Sequence, residues 1–231
     1  MSGEKQTSSR KITSLDLQAK ELGIGGKLSP ETDEILYKKR MQQRKDIQSK
    51  RLKVRKNKKG LLIVFTGNGK GKTTASLGMA LRTIGHGYKV AIIQFIKGGW
   101  NTGEEKALKL LSPDISWHAL GEGFTWETQD RVRDEELVRG AWQVAKTFIK
   151  DESYKLIILD EINIATKLGY LSPKEVIAFI KSQKNRKNHI VLTGRGASES
   201  IINQADLVTE MKLIKHPFKE QGIKAQECVE F

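Results

Sequence analysis

The chain has 231 residues, of which 38% are hydrophobic, and its formal net charge is +14. This length suits one sizeable α/β domain with an appendage better than two domains. No apolar run reaches about 18 residues, which argues against a membrane-spanning helix, and the polar amino terminus lacks the apolar core of a secretory signal. A single cysteine, Cys228, excludes an internal disulfide and a multi-cysteine metal site. We therefore expect a cytoplasmic protein.

Positive charge is concentrated near the amino terminus. Residues 1–59 carry 17 Lys and Arg against 7 Asp and Glu, a net charge of +10, whereas residues 60–231 carry only +4. A basic segment of this kind either binds a polyanion or is a solvated arm, and we favour the arm. We expect residues 1–34 to be a disordered basic arm, 35–59 an amino-terminal helix or lid, and 60–231 the main domain.

The first helix is predicted to begin at Pro30. Ser29 can act as its N-cap, the proline suits the first helical position, and acidic residues follow where the helix dipole favours them. Beyond that turn, apolar residues are sparse among Lys, Arg and Gln, so the helix has only a weak apolar stripe.

From Gly60 onward, short apolar segments alternate with helical patterns. The predicted strands are 61–65, 89–95, 155–160, 189–193 and 207–213, all nearly continuous in apolar residues, as expected of strands buried on both faces. The predicted helices are 72–84, 103–111, 129–150, 173–184 and 197–204, and Ser172, Pro173 and Glu175 offer the fourth an N-cap, a first-turn proline and a capping box. The alternation predicts an α/β domain with a mostly parallel sheet, helices on both faces, and ligand at the carboxyl ends of the strands.

A glycine-rich turn follows the first predicted strand, in the segment FTGNGKGKTT at residues 65–74. Backbone N–H groups in such a turn point at an anion, the lysine binds phosphate oxygens, and the following hydroxyl can bind Mg²⁺. An ordinary phosphate loop would place its first glycine where this chain has Thr66. The predicted nucleotide-binding residues are Gly67, Asn68, Gly69, Lys70, Gly71, Lys72, Thr73 and Thr74.

Two carboxylates end another apolar segment, LIILDE, at Asp160 and Glu161. In P-loop proteins an acidic residue at the end of a second buried strand binds the metal, directly or through water. We expect one of the two carboxylates to do so, and the other to cap the next turn.

Groups that would activate water or another acceptor are not evident. The four histidines, His86, His118, His189 and His216, share no local motif with a nucleophile, so structural roles are favoured over catalysis. The sequence offers no clear arginine finger either, which leaves open how the triphosphate is used.

Nine motifs occur together in order: FTGNGKGKTT, GHG, QFIKGGW, GFTWET, LDE, TGRG, DLVTEM, KHPF and GIKAQECVEF. Through them the chain resembles, over about residues 35–231, the P-loop ATP:corrinoid adenosyltransferases of the cobalamin pathway. The resemblance implies a P-loop NTPase-like, RecA-like fold, and a reaction in which a Co(I) corrinoid attacks C5′ of ATP and the whole triphosphate leaves. It also implies that the nucleotide lies in the loop with its phosphate order reversed.

The resemblance assigns roles by matching position. Lys72 would stabilise the leaving triphosphate, and Thr73 with Glu161 would approach Mg²⁺, with Asp160 in support. Phe124 and Trp126, in GFTW, would remove the lower axial ligand of cobalt(II) and so ease its reduction. ATP and the corrinoid would be substrates and Mg²⁺ the cofactor.

Further partners follow from the same resemblance. It implies a homodimer in which the amino-terminal helix can close over a site, and a flavoprotein reductant could dock on the basic arm. No membrane or nucleic-acid partner is expected. Trp100 and Arg195 follow predicted strands near the ligand crevice, where Trp100 could contact the corrin and Arg195 could contact phosphate or corrin, or serve as a helix cap or ion pair.

Two other functions stay open on the sequence alone. The basic residues 1–59 would suit a nucleic-acid-stimulated P-loop ATPase, although the basic segment lacks the interleaved aromatics of usual nucleic-acid readers. A non-catalytic, ATP-gated corrinoid carrier would bind both ligands without turnover.

Overall fold

The computed structural model describes residues 30–54, 57–96, 102–120, 130–226 and 228–229. The chain divides into two compact units, Met1–Lys58 and Lys59–Phe231. In the first unit, helix α1 spans Pro30–Val54 and so begins at the predicted proline. Among the helices described, none combines the length and apolar character needed to cross a membrane.

The second unit alternates strands with helices. Its strands are β1 (Leu62–Thr66), β2 (Lys89–Gln94), β3 (Ile115–Ala119), β4 (Tyr154–Asp160), β5 (His189–Thr193) and β6 (Leu207–Glu210). Its helices are α2 (Lys72–Gly85), α3 (Gly103–Leu111), α4 (Arg131–Lys150), α5 (Ile162–Lys167), α6 (Pro173–Ser182), α7 (Glu199–Ile202) and α8 (Pro217–Gln221). All five predicted strands are present, and β3 adds a sixth.

The six strands form one sheet in the order β3-β2-β4-β5-β1-β6, and each neighbouring pair is parallel. The predicted α/β class with a parallel sheet is therefore confirmed. Because all strands run the same way, their carboxyl ends meet at one edge. There the register pairs Phe65 with Thr193 and Gln94 with Asp160.

Helices cover both faces of the sheet, as predicted. Side chains of α4 and α6, with Trp142 the largest, pack on one face, while Leu77 of α2 and Leu108 of α3 pack on the other. Successive residues of β4 alternate between the two cores, so that Ile157 belongs to the first and Ile158 to the second. Burial on both faces explains why the inner strands are almost continuously apolar.

Strand β6 departs from the expected burial. All four of its residues are exposed, including Leu207 at 44% and Val208 at 40%, and it ends at Glu210 instead of reaching residue 213. The reason is position: among the strands that the structure describes, β6 lies at the edge of the sheet and pairs with β1 alone.

The predicted capping box of α6 is also wrong. Ser172 is the N-cap and Pro173 follows it, but the serine side chain makes no capping hydrogen bond. The side chain of Glu175 instead accepts the indole N–H of Trp142 at 2.9 Å. Because the carboxylate of Glu175 bonds to Trp142 of α4, it does not cap its own helix.

Candidate phosphate and metal site

The phosphate loop joins β1 to α2 at the carboxyl edge of the sheet. Gly67 and Gly71 have φ angles of 95° and 101°, in the left-handed region that favours glycine. A Cβ on Gly67 would lie 2.5 Å from the main-chain oxygen of Met211. The N–H of Gly69 donates to that same oxygen over 2.6 Å. The loop is therefore built directly against the segment that follows β6.

Thr66 stands where an ordinary phosphate loop has its first glycine. It is the last residue of β1, it is buried, and its hydroxyl oxygen accepts the N–H of Ala197 at 3.1 Å. Its main-chain oxygen accepts the N–H of Met211 at 2.8 Å. The strand thus continues through Thr66 and the turn starts at Gly67, which is why the first glycine is displaced.

The amino end of α2 has the properties of an anion site. Its N-cap is Gly71, so no side chain caps the first turn, and that turn holds no acidic residue. The helix dipole and the N–H groups of the turn favour a negative group there. Lys72 is only 7% exposed, and its ammonium group donates to the main-chain oxygen of Gly69, which holds the side chain over the loop.

Asp160 gathers three hydrogen bonds at the end of β4. Its Oδ1 accepts the hydroxyl of Thr73 at 2.9 Å and that of Thr193 at 2.6 Å, and its Oδ2 accepts the side-chain amide of Gln94 at 3.2 Å. The carboxylate is 1% exposed. Its donors come from α2, β5 and β2, which meet here because the sheet is parallel.

Glu161 follows in an unusual conformation. Its φ is 61°, which is uncommon for a residue with a side chain, and it is the N-cap of α5 without a side-chain capping bond. Its N–H donates to the hydroxyl oxygen of Thr193 at 2.9 Å. Its Oε2 atom is buried, and a Cβ added to Gly194 would come within 3.0 Å of that atom. Thr193 therefore links the two neighbouring carboxylate residues.

Thr73, Asp160 and Glu161 supply oxygen atoms, which Mg²⁺ prefers as ligands. Across the described ranges, no cluster of three or more His, Cys, Asp or Glu could hold a metal unaided. Mg²⁺ at this edge would then need phosphate oxygens or water to complete its octahedron, as is usual in nucleotide sites. The residues present fit a metal–nucleotide complex.

The structure brings together much of the predicted site but not all of it. Thr73 contacts Asp160, the carboxylate for which the resemblance implied only a supporting role. The prediction missed Gln94 and Thr193, although each is the polar residue that ends an apolar segment, KVAIIQ or HIVLT. Phe124, Trp126 and Trp100 lie outside the described residues.

A basic cavity of about 670 Å³ lies beside the phosphate loop. Asn68 of the loop lines it together with Glu210 and four basic side chains, Arg195, Lys212, His216 and Lys219. The predicted Arg195 is thus exposed beyond β5, next to the loop. The positive charges of Arg195, Lys212 and Lys219 outnumber the negative charge of Glu210, which favours an anionic ligand near the loop.

Two histidines accept hydrogen bonds from the backbone, one at the start of a strand and the other in a helix cap. Nδ1 of His189, at the start of β5, accepts the N–H of Leu61 at 3.1 Å, and Nδ1 of His216 accepts that of Phe218 at 3.2 Å. Burial, with Lys155 and Arg186 nearby, lowers the pKa of His189. Burial and then Lys109 lower the pKa of His118.

Comparison with known proteins gives a consistent result. Residues 58–231 match the family model described as ATP:corrinoid adenosyltransferase BtuR/CobO/CobP. The chain is 48% identical to a corrinoid adenosyltransferase of Sinorhizobium sp, over 91% of this chain and 99% of the relative. It is 46% identical to one of Pseudomonas aeruginosa (88% and 98% covered) and 39% identical to one of Escherichia coli strain K12 (84% and 97%).

Among solved structures, similarity extends to the flagellar accessory protein FlaH from Methanocaldococcus jannaschii. The TM-score is 0.47 at 16% identity, over 66% of this chain and 71% of that one.

Proposed function

The chain belongs to the ATP:corrinoid adenosyltransferase family, and on this premise we propose that it transfers the 5′-deoxyadenosyl group of ATP to the Co(I) centre of a corrinoid and releases tripolyphosphate. The electron pair of Co(I) forms the cobalt–carbon bond, and the triphosphate leaves with the electrons of the C5′–oxygen bond. The family match over residues 58–231, which includes the phosphate loop, carries the proposal. The product would serve adenosylcobalamin biosynthesis or salvage.

In this reaction the phosphate loop would bind the leaving group, the triphosphate. Negative charge grows on the triphosphate as the C5′–oxygen bond breaks, so donors already aimed at the phosphates favour the transition state. The backbone N–H groups of residues 67–71, the amino end of α2 and the ammonium group of Lys72 would provide them. The main-chain oxygen of Gly69 accepts a hydrogen bond from Lys72 and so holds its ammonium group over the loop, which keeps the cost of reorganisation low.

We assign Thr73 and Glu161 as the protein ligands of Mg²⁺, with Asp160 as the residue that orients Thr73. The support is the oxygen donor set and the hydrogen bond between Thr73 and Asp160. Bound Mg²⁺ would neutralise charge on the triphosphate. The Thr73 hydroxyl donates a hydrogen bond to Asp160, which leaves its oxygen lone pairs for the metal.

The proposed chemistry needs no general base. A Co(I) corrinoid is itself a strong nucleophile and carries no proton to remove. His189, at the start of β5, and His216, at the cap of α8, are engaged in hydrogen bonds to the backbone. Their structural roles therefore agree with this reaction class.

Phe124 and Trp126 remain the proposed residues that displace the lower axial ligand of cobalt(II). Replacing either by Ala should slow the reaction that starts from cobalt(II) and a flavoprotein reductant. The same variants should approach the rate of the unaltered chain when the corrinoid is supplied already as Co(I). Equal losses in both assays would contradict this role.

A homodimer, a flavoprotein reductant and a cytoplasmic location complete the proposal. We also propose that residues 35–59 act as a lid over the site. Deleting residues 1–57 should then weaken corrinoid binding, and unchanged affinity and rate would rule the lid out.

Adenosyl transfer can be tested anaerobically with ATP, Mg²⁺ and chemically reduced corrinoid. The expected products are a light-sensitive adenosylcorrinoid and an equal amount of tripolyphosphate. Formation of ADP and orthophosphate alone would contradict the proposal, and hydrolysis stimulated by DNA or RNA would favour an ATPase instead.

A further inference from the structure

A chain of hydrogen bonds leads from the sheet edge to the proposed metal ligand. The indole N–H of Trp117, on β3, donates to Oε1 of Gln94 at 3.1 Å. The amide of Gln94, at the end of β2, donates to Oδ2 of Asp160 at 3.2 Å. Asp160 in turn accepts the hydroxyl of Thr73 at 2.9 Å. Four consecutive side chains thus connect β3, β2, β4 and α2.

The chemistry of the end groups fixes the direction of this chain. An indole N–H can only donate a hydrogen bond, and a carboxylate can only accept one. A glutamine between them has one orientation that satisfies both, with its oxygen toward Trp117 and its NH₂ group toward Asp160. The bond from Trp117 therefore holds the Gln94 amide in the same orientation that the carboxylate requires.

Holding Asp160 has a consequence for Thr73. The hydroxyls of Thr73 and Thr193 both bond to Oδ1 and restrain that oxygen. Gln94 restrains the other oxygen, Oδ2, and so adds resistance to rotation of the carboxylate about its Cβ–Cγ bond. With the carboxylate fixed, the hydroxyl hydrogen of Thr73 stays directed at Asp160, and the lone pairs of the hydroxyl oxygen point away from the carboxylate.

We infer that Gln94 and Trp117 are positioning residues for the metal-binding hydroxyl of Thr73. This inference rests on the proposed function insofar as Thr73 binds Mg²⁺ with the nucleotide. Replacing a residue that orients a metal ligand through a hydrogen bond typically changes metal affinity by about 10- to 100-fold. Gln94 bonds to Asp160 directly, whereas Trp117 acts through Gln94. Replacing Trp117 should therefore change metal affinity less than replacing Gln94.

The test measures ATP binding to the full chain by calorimetry, first in EDTA and then over a series of Mg²⁺ concentrations. Gln94→Leu, which removes both hydrogen bonds at similar size, should raise the half-saturating Mg²⁺ concentration by about tenfold. Trp117→Phe, which keeps a ring but removes the N–H, should raise it by about threefold. ATP affinity in EDTA should not change in either variant.

Ser116→Ala is the matched control, because Ser116 precedes Trp117 on β3. Its hydroxyl forms a hydrogen bond with that of Tyr154 at 2.7 Å and has no part in the hydrogen bonds that lead from Trp117 to Thr73. This variant should leave the Mg²⁺ requirement unchanged. If Gln94→Leu does not fold, the inference is tested by comparing the Mg²⁺ requirement of Trp117→Phe with that of Ser116→Ala.

An unchanged Mg²⁺ requirement in Trp117→Phe would overturn the inference, as would equal losses with and without Mg²⁺, which indicate packing only. The binding assay contains no corrinoid. Failure of adenosyl transfer would therefore leave this result intact, and failure here would leave adenosyl transfer intact.

Discussion

Gly67 illustrates how one residue sets the form of the phosphate loop. Its φ of 95° lies in the left-handed region, and an added Cβ would meet the main-chain oxygen of Met211 at 2.5 Å. We predict that Gly67→Ala lowers the free energy of unfolding by about 1–3 kcal/mol and weakens ATP binding at least about tenfold. Urea unfolding and ATP titration measure the two effects.

Gly78 provides the control for that substitution. It lies inside α2, and a Cβ built there meets nothing within 4 Å. Gly78→Ala should therefore stabilise the protein by about 0.5–1 kcal/mol and leave ATP affinity unchanged. If Gly67→Ala behaved as Gly78→Ala does, the contact with Met211 would not be what requires a glycine.

Lys72 is buried within the phosphate loop, whereas the other lysine of the loop, Lys70, is exposed. Lys72→Met keeps the length of the stem but removes the charge, so we expect kcat/KM for adenosyl transfer to fall by about a hundredfold or more. Circular dichroism should show an unchanged fold. A kcat/KM within threefold of that of the unaltered chain would mean that Lys72 does not stabilise the leaving triphosphate.

At the scale of elements, α4 and α6 are joined by one specific hydrogen bond. Trp142 is 1% exposed, and its indole N–H donates to Glu175 at 2.9 Å. Glu175→Ala removes the acceptor and should cost about 1 kcal/mol of unfolding free energy. Glu175→Gln retains an acceptor oxygen and should lie much closer to the unaltered chain; equal losses would show that the bond with Trp142 contributes little.

The same pair shows what the sequence could and could not predict. Strands and the phosphate loop were predictable because apolar runs and glycine spacing are local signals, and Asp160 was found because it ends such a run. The partner of Glu175 lies 33 positions away on another helix, so its local pattern indicated a capping box instead. Gln94 and Thr193 were missed for a related reason, since their role depends on which strands become neighbours.

For the molecule as a whole, half-buried histidines make stability depend on pH. Burial, with Lys155 and Arg186 nearby, lowers the pKa of His189 below its ordinary value of 6.5, and Nδ1 must be unprotonated to accept the N–H of Leu61. The unfolded chain takes up a proton near pH 6.5, whereas the folded protein resists it. Stability from this source is therefore complete above about pH 6.5 and is lost as the pH falls below it.

His189→Gln should make that loss shallower, because the glutamine oxygen can accept the N–H of Leu61 without titrating. His118 has its pKa lowered as well, so part of the slope should remain. Urea unfolding at several values between about pH 5 and 8 measures the slope. An identical slope in the variant would contradict the role given to His189.

We propose that the phosphate loop holds a leaving group and that the bond to C5′ is the one that breaks. ATP labelled with ¹⁸O at the oxygen between C5′ and the α-phosphorus tests this directly, with products analysed by mass spectrometry after reaction with a Co(I) corrinoid. If the C5′–oxygen bond breaks, the label should appear entirely in tripolyphosphate, beside unlabelled adenosylcorrinoid. Label retained in ADP, with orthophosphate as the other product, would show phosphoryl transfer and contradict it.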